Sequence, residues 1–385
     1  MRAIWMRTGI SRVEVATELS LDKSTVTNLV AELLRLGIVQ ERESGESGPH
    51  GGRRPVALTI NRNYGVVLGF EIAPDAITAV GIDLDGGTRF RETASLATGP
   101  HNLAENLREA VQNARGRAER DGVSVIGVGL GIPGVVDPYR GVILQSLPLG
   151  IASAYTVANQ AWTDLPVPLF VENDANCCCW GELAFHKEKR LKNFLSLLVK
   201  IGGPETGTEA HGRAEGISVG LGFVIDGKVY HGASFSAGEF RSILAPGRSE
   251  SQFSLTDKEA LRVPLDPAAR GRFLEELSGH IALFVNTLNL THLFIGGSLE
   301  PFREEIVPLF ARKIQENWAY PDPVDSEIRF STHGRDAVAY GAAGMFLDRL
   351  FTDSEFLVGG ERSGPTGLRL LAGSGAAGGY QGGPW

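Results

Sequence analysis

Six residues, Val171-Glu172-Asn173-Asp174-Ala175-Asn176, set carboxylates among amides. Side chains of these types orient a polyol through hydrogen bonds, and Asp174 can accept a hydroxyl proton as a general base. Asn and Asp are also preferred helix N-caps, so the hexapeptide alone leaves both readings open. Further on, Glu239 in Ser236-Ala237-Gly238-Glu239 is either a sugar-hydroxyl ligand or an exposed loop acid. Three glycine-rich stretches follow apolar runs: one with Gly131 and Gly134, one with Gly220 and Gly222, and one with Gly296 and Gly297. Such glycines let backbone amides approach phosphate, and ordinary turns have the same composition. Near the N-terminus, Lys23, Ser24, Thr25, Thr27 and Asn28 open a helical pattern. Short polar and basic side chains there reach phosphates and base edges when a helix enters a major groove. Arg53 and Arg54 lie on a polar loop that can reach the backbone or the minor groove.

These groups need elements to position them. Ser11 and Glu14 form a capping-box pattern ahead of Val13, Ala16 and Leu19. Asp22 is placed to cap a second helix carrying Val26, Leu29, Val30, Leu33 and Leu34, which Gly37 stops. Residues 38–41 and 56–60 alternate as strands around the loop 44–54. Helix, turn, helix and a two-stranded wing make a DNA-binding plan. Beyond residue 62, strands at 66–72, 76–84, 123–130 and 168–171 mix with a helix over 103–120, the pattern of an α/β protein. Residues 202–216 lack periodicity and read as an exposed loop.

The 385 residues are 43% hydrophobic and 21% charged, enough to bury cores in two or three domains. No apolar run approaches the ~18–20 residues of a membrane span, and no signal peptide is read, so a cytoplasmic location without membrane partners is expected. Cys177, Cys178 and Cys179 are consecutive. That spacing suits neither a disulfide framework nor a four-cysteine zinc site, and small buried packing on a helix is the expectation. The eight histidines show no metal-ligand spacing and are read as surface or satisfied core residues. Net charge is −8, but residues 1–60 are near neutral on a more acidic remainder, as expected of a small DNA reader on an acidic body.

Together these residues resemble the ROK family (repressors, open reading frames, sugar kinases), in its transcriptional-regulator branch. The stretches "GLGIPGVVD", "VENDANCCCWGE", "GFVIDGKVYHGASFSAGE" and "LFIGGSLE" match the family body in order and spacing, and the head is similar to its winged helix. The resemblance covers roughly residues 9–350. It implies an α/β fold: an N-terminal winged helix-turn-helix followed by a two-lobed, actin-like ATPase (ribonuclease H-like) sugar-kinase fold. The implied divisions are 1–62 for the head, 63–183 plus a returning helix at about 335–352 for the first lobe, 184–334 for the second, and a disordered Gly-rich tail over 353–385. It implies Asn173, Asp174 and Glu239 as sugar ligands, with Asp174 at the base position.

The departures are as informative. Where family kinases carry an Asp-x-Gly-Gly-Thr phosphate loop, this chain has Glu71-Ile72-Ala73-Pro74-Asp75. Pro74 donates no N–H and no hydroxyl follows, so phosphate is held poorly. Ser242 stands where a family zinc-ligand histidine would be, and residues 243–262 contain no cysteine. No zinc, other cofactor or catalytic residue is expected, and the glycine loops are read as degenerate nucleotide loops. The head is also short at its front compared with family regulators. The expected protein is a sugar-responsive regulator, a repressor of carbohydrate genes. Its expected partners are operator DNA, a sugar or sugar-phosphate effector and a second copy of itself, as a homodimer or higher homo-oligomer. The alternatives are an ATP-dependent sugar kinase and a DNA-binding scaffold with a dead sugar pocket.

Overall fold

The computed structural model describes residues 1–43, 56–157, 167–186, 191–202, 216–247 and 251–352. Arg53, Arg54, the loop between 202 and 216, and the 353–385 tail fall outside these residues.

The head contains α1 (Arg2–Met6), β1 (Ile10–Ser11), α2 (Arg12–Glu18), α3 (Lys23–Arg35), β2 (Val39–Glu43) and β3 (Val56–Ile60). Ser11 and Glu14 close a reciprocal capping box at α2, and Asp22 caps α3 through the Ser24 N–H. Gly37 takes φ +74° just past α3, a conformation that costs glycine little. The strands form an antiparallel sheet ordered β1-β3-β2. α1 and β1 extend the two helices and two strands legible in the sequence, and they bring Trp5 into the interior at 1% exposure.

The first lobe comprises β4 (Val66–Ile72), β5 (Ala76–Asp83), β6 (Thr88–Ser95), α4 (Leu103–Arg120), β7 (Val125–Ile132) and β11 (Leu169–Asn173), followed by α5 (Asp174–Phe185). A small antiparallel sheet, β8 (Val135–Asp137), β9 (Val142–Gln145) and β10 (Tyr155–Thr156), branches from it. The second lobe comprises β12 (Phe194–Ile201), β13 (Ile217–Ile225), β14 (Lys228–Val229), α6 (Asp257–Ala260), α7 (Pro267–Thr287), β15 (His292–Gly297), α8 (Arg303–Glu316) and β16 (Glu327–Phe330), then α9 (Ala337–Thr352).

The two large sheets are ordered β11-β7-β4-β5-β6 and β14-β13-β12-β15-β16. With strands numbered within each lobe, both read 3-2-1-4-5: strands 1 to 3 are antiparallel neighbours, and strands 4 and 5 run parallel to strand 1. This is the two-lobed, actin-like arrangement. Each fifth strand leads into a helix that packs on the other lobe's sheet: α5 lies against β12 and β13, and α9 against β4 and β7.

Glycine makes both crossings possible. Gly127, Gly129 and Gly131 alternate along β7 and face Phe346, Ala342 and Val338, which lie one turn apart on α9. A Cβ at Gly129 would stand 2.0 Å from the Ala342 carbonyl oxygen. On β13, Gly220 and Gly222 receive Ala175 and Cys179 of α5 in the same way. The helices touch where Gly341 meets the Cys177 backbone. Close packing of helices on sheets and on each other thus accounts for Gly131, Gly220 and Gly222, and for the buried cysteine run.

Among the described residues the head does not have a separate core. Ile4, Trp5, Ile10, Val26 and Val30 share one apolar cluster with Val67, Val80 and Ile82 of the first sheet and Phe346, Leu347, Leu350 and Phe351 of α9. Trp5 lies on Phe351 with centroids 4.7 Å apart. Arg2 reinforces the contact by reaching Asp348 at 3.2 Å and Thr352 at 3.1 Å.

Candidate functional site

β11 and α5 deliver the polar hexapeptide to the cleft between the lobes. Glu172, fully buried, accepts four hydrogen bonds: from the Asn173 N–H at 2.9 Å, Asn176 Nδ2 at 3.2 Å, Trp180 Nε1 at 3.3 Å and His231 Nε2 at 2.8 Å. It ties α5 to the loop after β14. Asn173 is the N-cap of α5: its Oδ1 accepts from the Asn176 N–H at 3.0 Å, and its Nδ2 donates to the Gly134 carbonyl at 2.9 Å. The capping role open in the sequence is therefore realised, and one donor and one lone pair remain on that amide for a ligand.

Asp174 follows at the first turn. Its Oδ1 accepts from the Ala175 N–H at 2.9 Å, and its Oδ2 meets Lys200 Nζ at 3.0 Å. Lys200 lies near the end of β12 and also reaches Glu71 Oε1 at 2.9 Å, near the end of β4. Burial opposes the lysine's charge, but the Glu71 and Asp174 carboxylates outweigh it and hold the ammonium above the ordinary lysine range. Glu239, paired through its backbone to Gly220, sits at the open side of the cleft. Partial loss of water, then the Asp174 charge, raises its carboxyl above the usual range.

A wall of rings completes the site. Tyr139, 74% exposed, stands edge-on to His231 at 5.9 Å and 6.0 Å from Phe235. The structure thus brings Asn173, Asp174 and Glu239 together, and adds Glu71, Glu172, Lys200, His231 and Tyr139. His231, a surface or satisfied core residue by its sequence, is satisfied by Glu172 and borders the cleft. No spacing rule joins Lys200 to Glu71. The polar residues after β14 were the available signal for His231.

Ser242, at the place of the family histidine, is buried and bonded to His280 Nε2 of α7 at 3.0 Å. Among the described residues, no group of three or more His, Cys, Asp or Glu is arranged to hold a metal ion. The three cysteines are buried and burial raises all three thiols, Cys179 to about 12, which opposes thiolate reactivity. Gly296 and Gly297 end β15, where Gly297 at φ +82° approaches the Val199 carbonyl.

In the head, Lys23, Ser24, Thr25, Thr27 and Asn28 are all exposed at the start of α3. Two hydroxyls have local partners as well: Ser24 Oγ with Asp22, and Thr27 Oγ1 with the Lys23 carbonyl at 2.7 Å. No helix among the described residues is long and apolar enough to cross a membrane.

A two-lobed actin-like body with carboxylates and amides at its cleft, under a small helical head, defines the sugar-kinase-like class with an added N-terminal module. Residues 67–246 match the model of the ROK family. The xylose repressor of Caldicellulosiruptor bescii is 28% identical over 242 residues, 60% of this chain and 53% of that protein; the Bacillus subtilis xylose repressor is 25% identical over 62% and 57%. This chain therefore spans about half the length of the curated relatives it matches. A solved ROK family transcriptional regulator, a homologue of the E. coli MLC protein, superposes with a TM-score of 0.67 at 18% identity, covering 89% of this chain and 92% of that one. The head is included in that fold likeness.

Proposed function

We propose that this protein is a sugar-responsive transcriptional repressor of carbohydrate-metabolism genes. It acts in the cytoplasm as a homodimer, and its kinase-like body serves as a sensor. Lys23, Ser24, Thr25, Thr27 and Asn28 read operator DNA, with Arg53 and Arg54 on the wing adding phosphate or minor-groove contacts. A dimer sets two α3 helices about one DNA turn (~34 Å) apart. A sugar or sugar phosphate binds at Asn173, Asp174 and Glu239.

The carrying observation is the path of α9. It begins at the cleft, packs on α5 behind Asp174, and ends under Trp5 of the head. The head therefore follows the first lobe and α9. A ligand that changes the angle between the lobes changes the spacing of two heads in a dimer. The ligand must bind the two states with different free energies; a coupling of ~1–3 kcal/mol is typical. The xylose repressors among the relatives favour the same reading.

The kinase alternative is disfavoured because Pro74 interrupts the first phosphate loop and because Lys200 stands 3.0 Å from Asp174 in the cleft. Fluorescence anisotropy on labelled DNA from upstream of the gene, at fixed salt, tests the proposal. Specific binding that a pentose or hexose releases is the expected result. Lys23→Ala is expected to weaken binding to all sequences and to lower the salt slope by about one. Binding no tighter than to control DNA, together with sugar-dependent ADP release abolished in Asp174→Asn, would overturn the repressor in favour of the kinase.

A further inference from the structure

Glu71 and Lys200 hold the same place in the two repeats. Each is the penultimate residue of its lobe's first strand, β4 ending at Ile72 and β12 at Ile201. They meet across the cleft at 2.9 Å, and Asp174 lies 3.0 Å from the same ammonium. One lysine thus stands between two carboxylates, the arrangement a divalent cation would otherwise require. A metal-bound nucleotide does not fit that centre: the cation position is taken by a covalently attached ammonium, and a second cation would face it at close range. An ammonium has three N–H groups, of which these contacts use two, and 32% of the side chain is open to solvent. Around it, Glu71, Asp174, Glu172 and Glu239 outnumber Lys200 and His231, so a phosphate or carboxylate group on a ligand meets net repulsion.

We propose that Lys200 is a built-in cation that excludes metal-bound nucleotide from the cleft and donates its third N–H to an uncharged polyol, making it a specificity-determining residue of the sensor site. This deepens the sensor reading above and rests on it. Phosphorylated sugars, left open there, are excluded here.

Isothermal titration on the full chain tests the assignment with four probes: Mn²⁺, D-xylose, D-glucose and glucose 6-phosphate. The wild type is expected to ignore millimolar Mn²⁺ and to bind at least one free sugar about tenfold or more tightly than the phosphate. Lys200→Met is expected to gain Mn²⁺ binding at Glu71 and Asp174 and to lose sugar affinity by about tenfold or more. Lys200→Arg keeps the charge; it is expected to stay silent to Mn²⁺ and to report should Lys200→Met fail to fold. Four results overturn the proposal: Mn²⁺ binding by the wild type, preference for the phosphate, no response to either sugar, or unchanged sugar affinity in both variants. None of these arms uses DNA. A protein that passes them without binding operator DNA refutes the repressor and leaves Lys200 in place.

Discussion

The two lobes share strand order and strand direction, yet their first strands end in opposite charges. The first lobe presents Glu71, then turns tightly through Ala73-Pro74-Asp75, with the Ala73 N–H on the Ala76 carbonyl at 2.9 Å. The second presents Lys200 and separates β12 from β13 by a much longer segment. A repeated scaffold therefore carries complementary ends, and the cleft is drawn together by the charge its own halves supply. The crossing helices repeat the lesson: glycines on each sheet admit the helix that belongs by sequence to the other lobe. One architecture serves twice, and the differences lie at the strand ends.

The largest test of that exchange is Gly341→Val. Its Cβ would fall 1.7 Å from the Cys177 carbonyl oxygen, a backbone atom that cannot turn aside. Overpacking of this kind is expected to cost roughly 3 kcal/mol or more, lowering the melting temperature by about 10 °C or preventing folding. Gly271→Val, in the second lobe's α7 with nothing within 4 Å, should leave the melting temperature unchanged or raise it slightly, since valine forms helix better than glycine.

Next comes pH. His333, between β16 and α9, stacks on Tyr340 with centroids 4.3 Å apart, and burial lowers its pKa from 6.5 to about 4, with Asp336 partly opposing. Between those values the unfolded chain binds the extra proton. Stability is therefore intact above pH 6.5 and falls as pH drops toward 4, by at most about 3 kcal/mol. Melting curves at pH 7 and pH 5 should converge for His333→Gln relative to wild type; an identical pH slope in the two proteins would dismiss this source.

Glu172→Gln removes the buried acceptor that binds His231 to the first lobe. An amide in its place turns a donor toward donors, at an expected cost of about 2 kcal/mol in denaturant unfolding. The smallest effect is expected of Arg91→Ala. Arg91 on β6 grips Asp336, just ahead of α9, with two bonds of 2.6 and 2.7 Å, but the arginine is half exposed. About 0.5–1 kcal/mol is the ordinary scale of such a pair.

Local pattern made much of this fold legible. Leu103, Leu107, Val111, Ala114 and Ala118 recur at helical spacing and all lie on the buried face of α4. The Ser11–Glu14 box and the Asp22 cap were equally readable because capping is a short-range bond. The polar hexapeptide is legible for the same reason: its cap is a local bond. What stayed hidden depends on distant partners. Lys200 sits in a strand that is apolar but for Ser196, and nothing near it in sequence points to Glu71. The glycines of β7 resemble a phosphate loop because a sequence records the missing side chain but not what fills the space, here α9.

Trp5 gives the molecule an optical consequence. Its indole is sealed between head and body against Phe351, while Trp180 reports from the cleft through its bond to Glu172. Any swing of the head away from α9 must wet the first indole and leave the partly buried second unchanged. The emission difference between wild type and Trp5→Phe, and between wild type and Trp180→Phe, with the other three tryptophans common to all, would then separate movement at the two ends without an added dye.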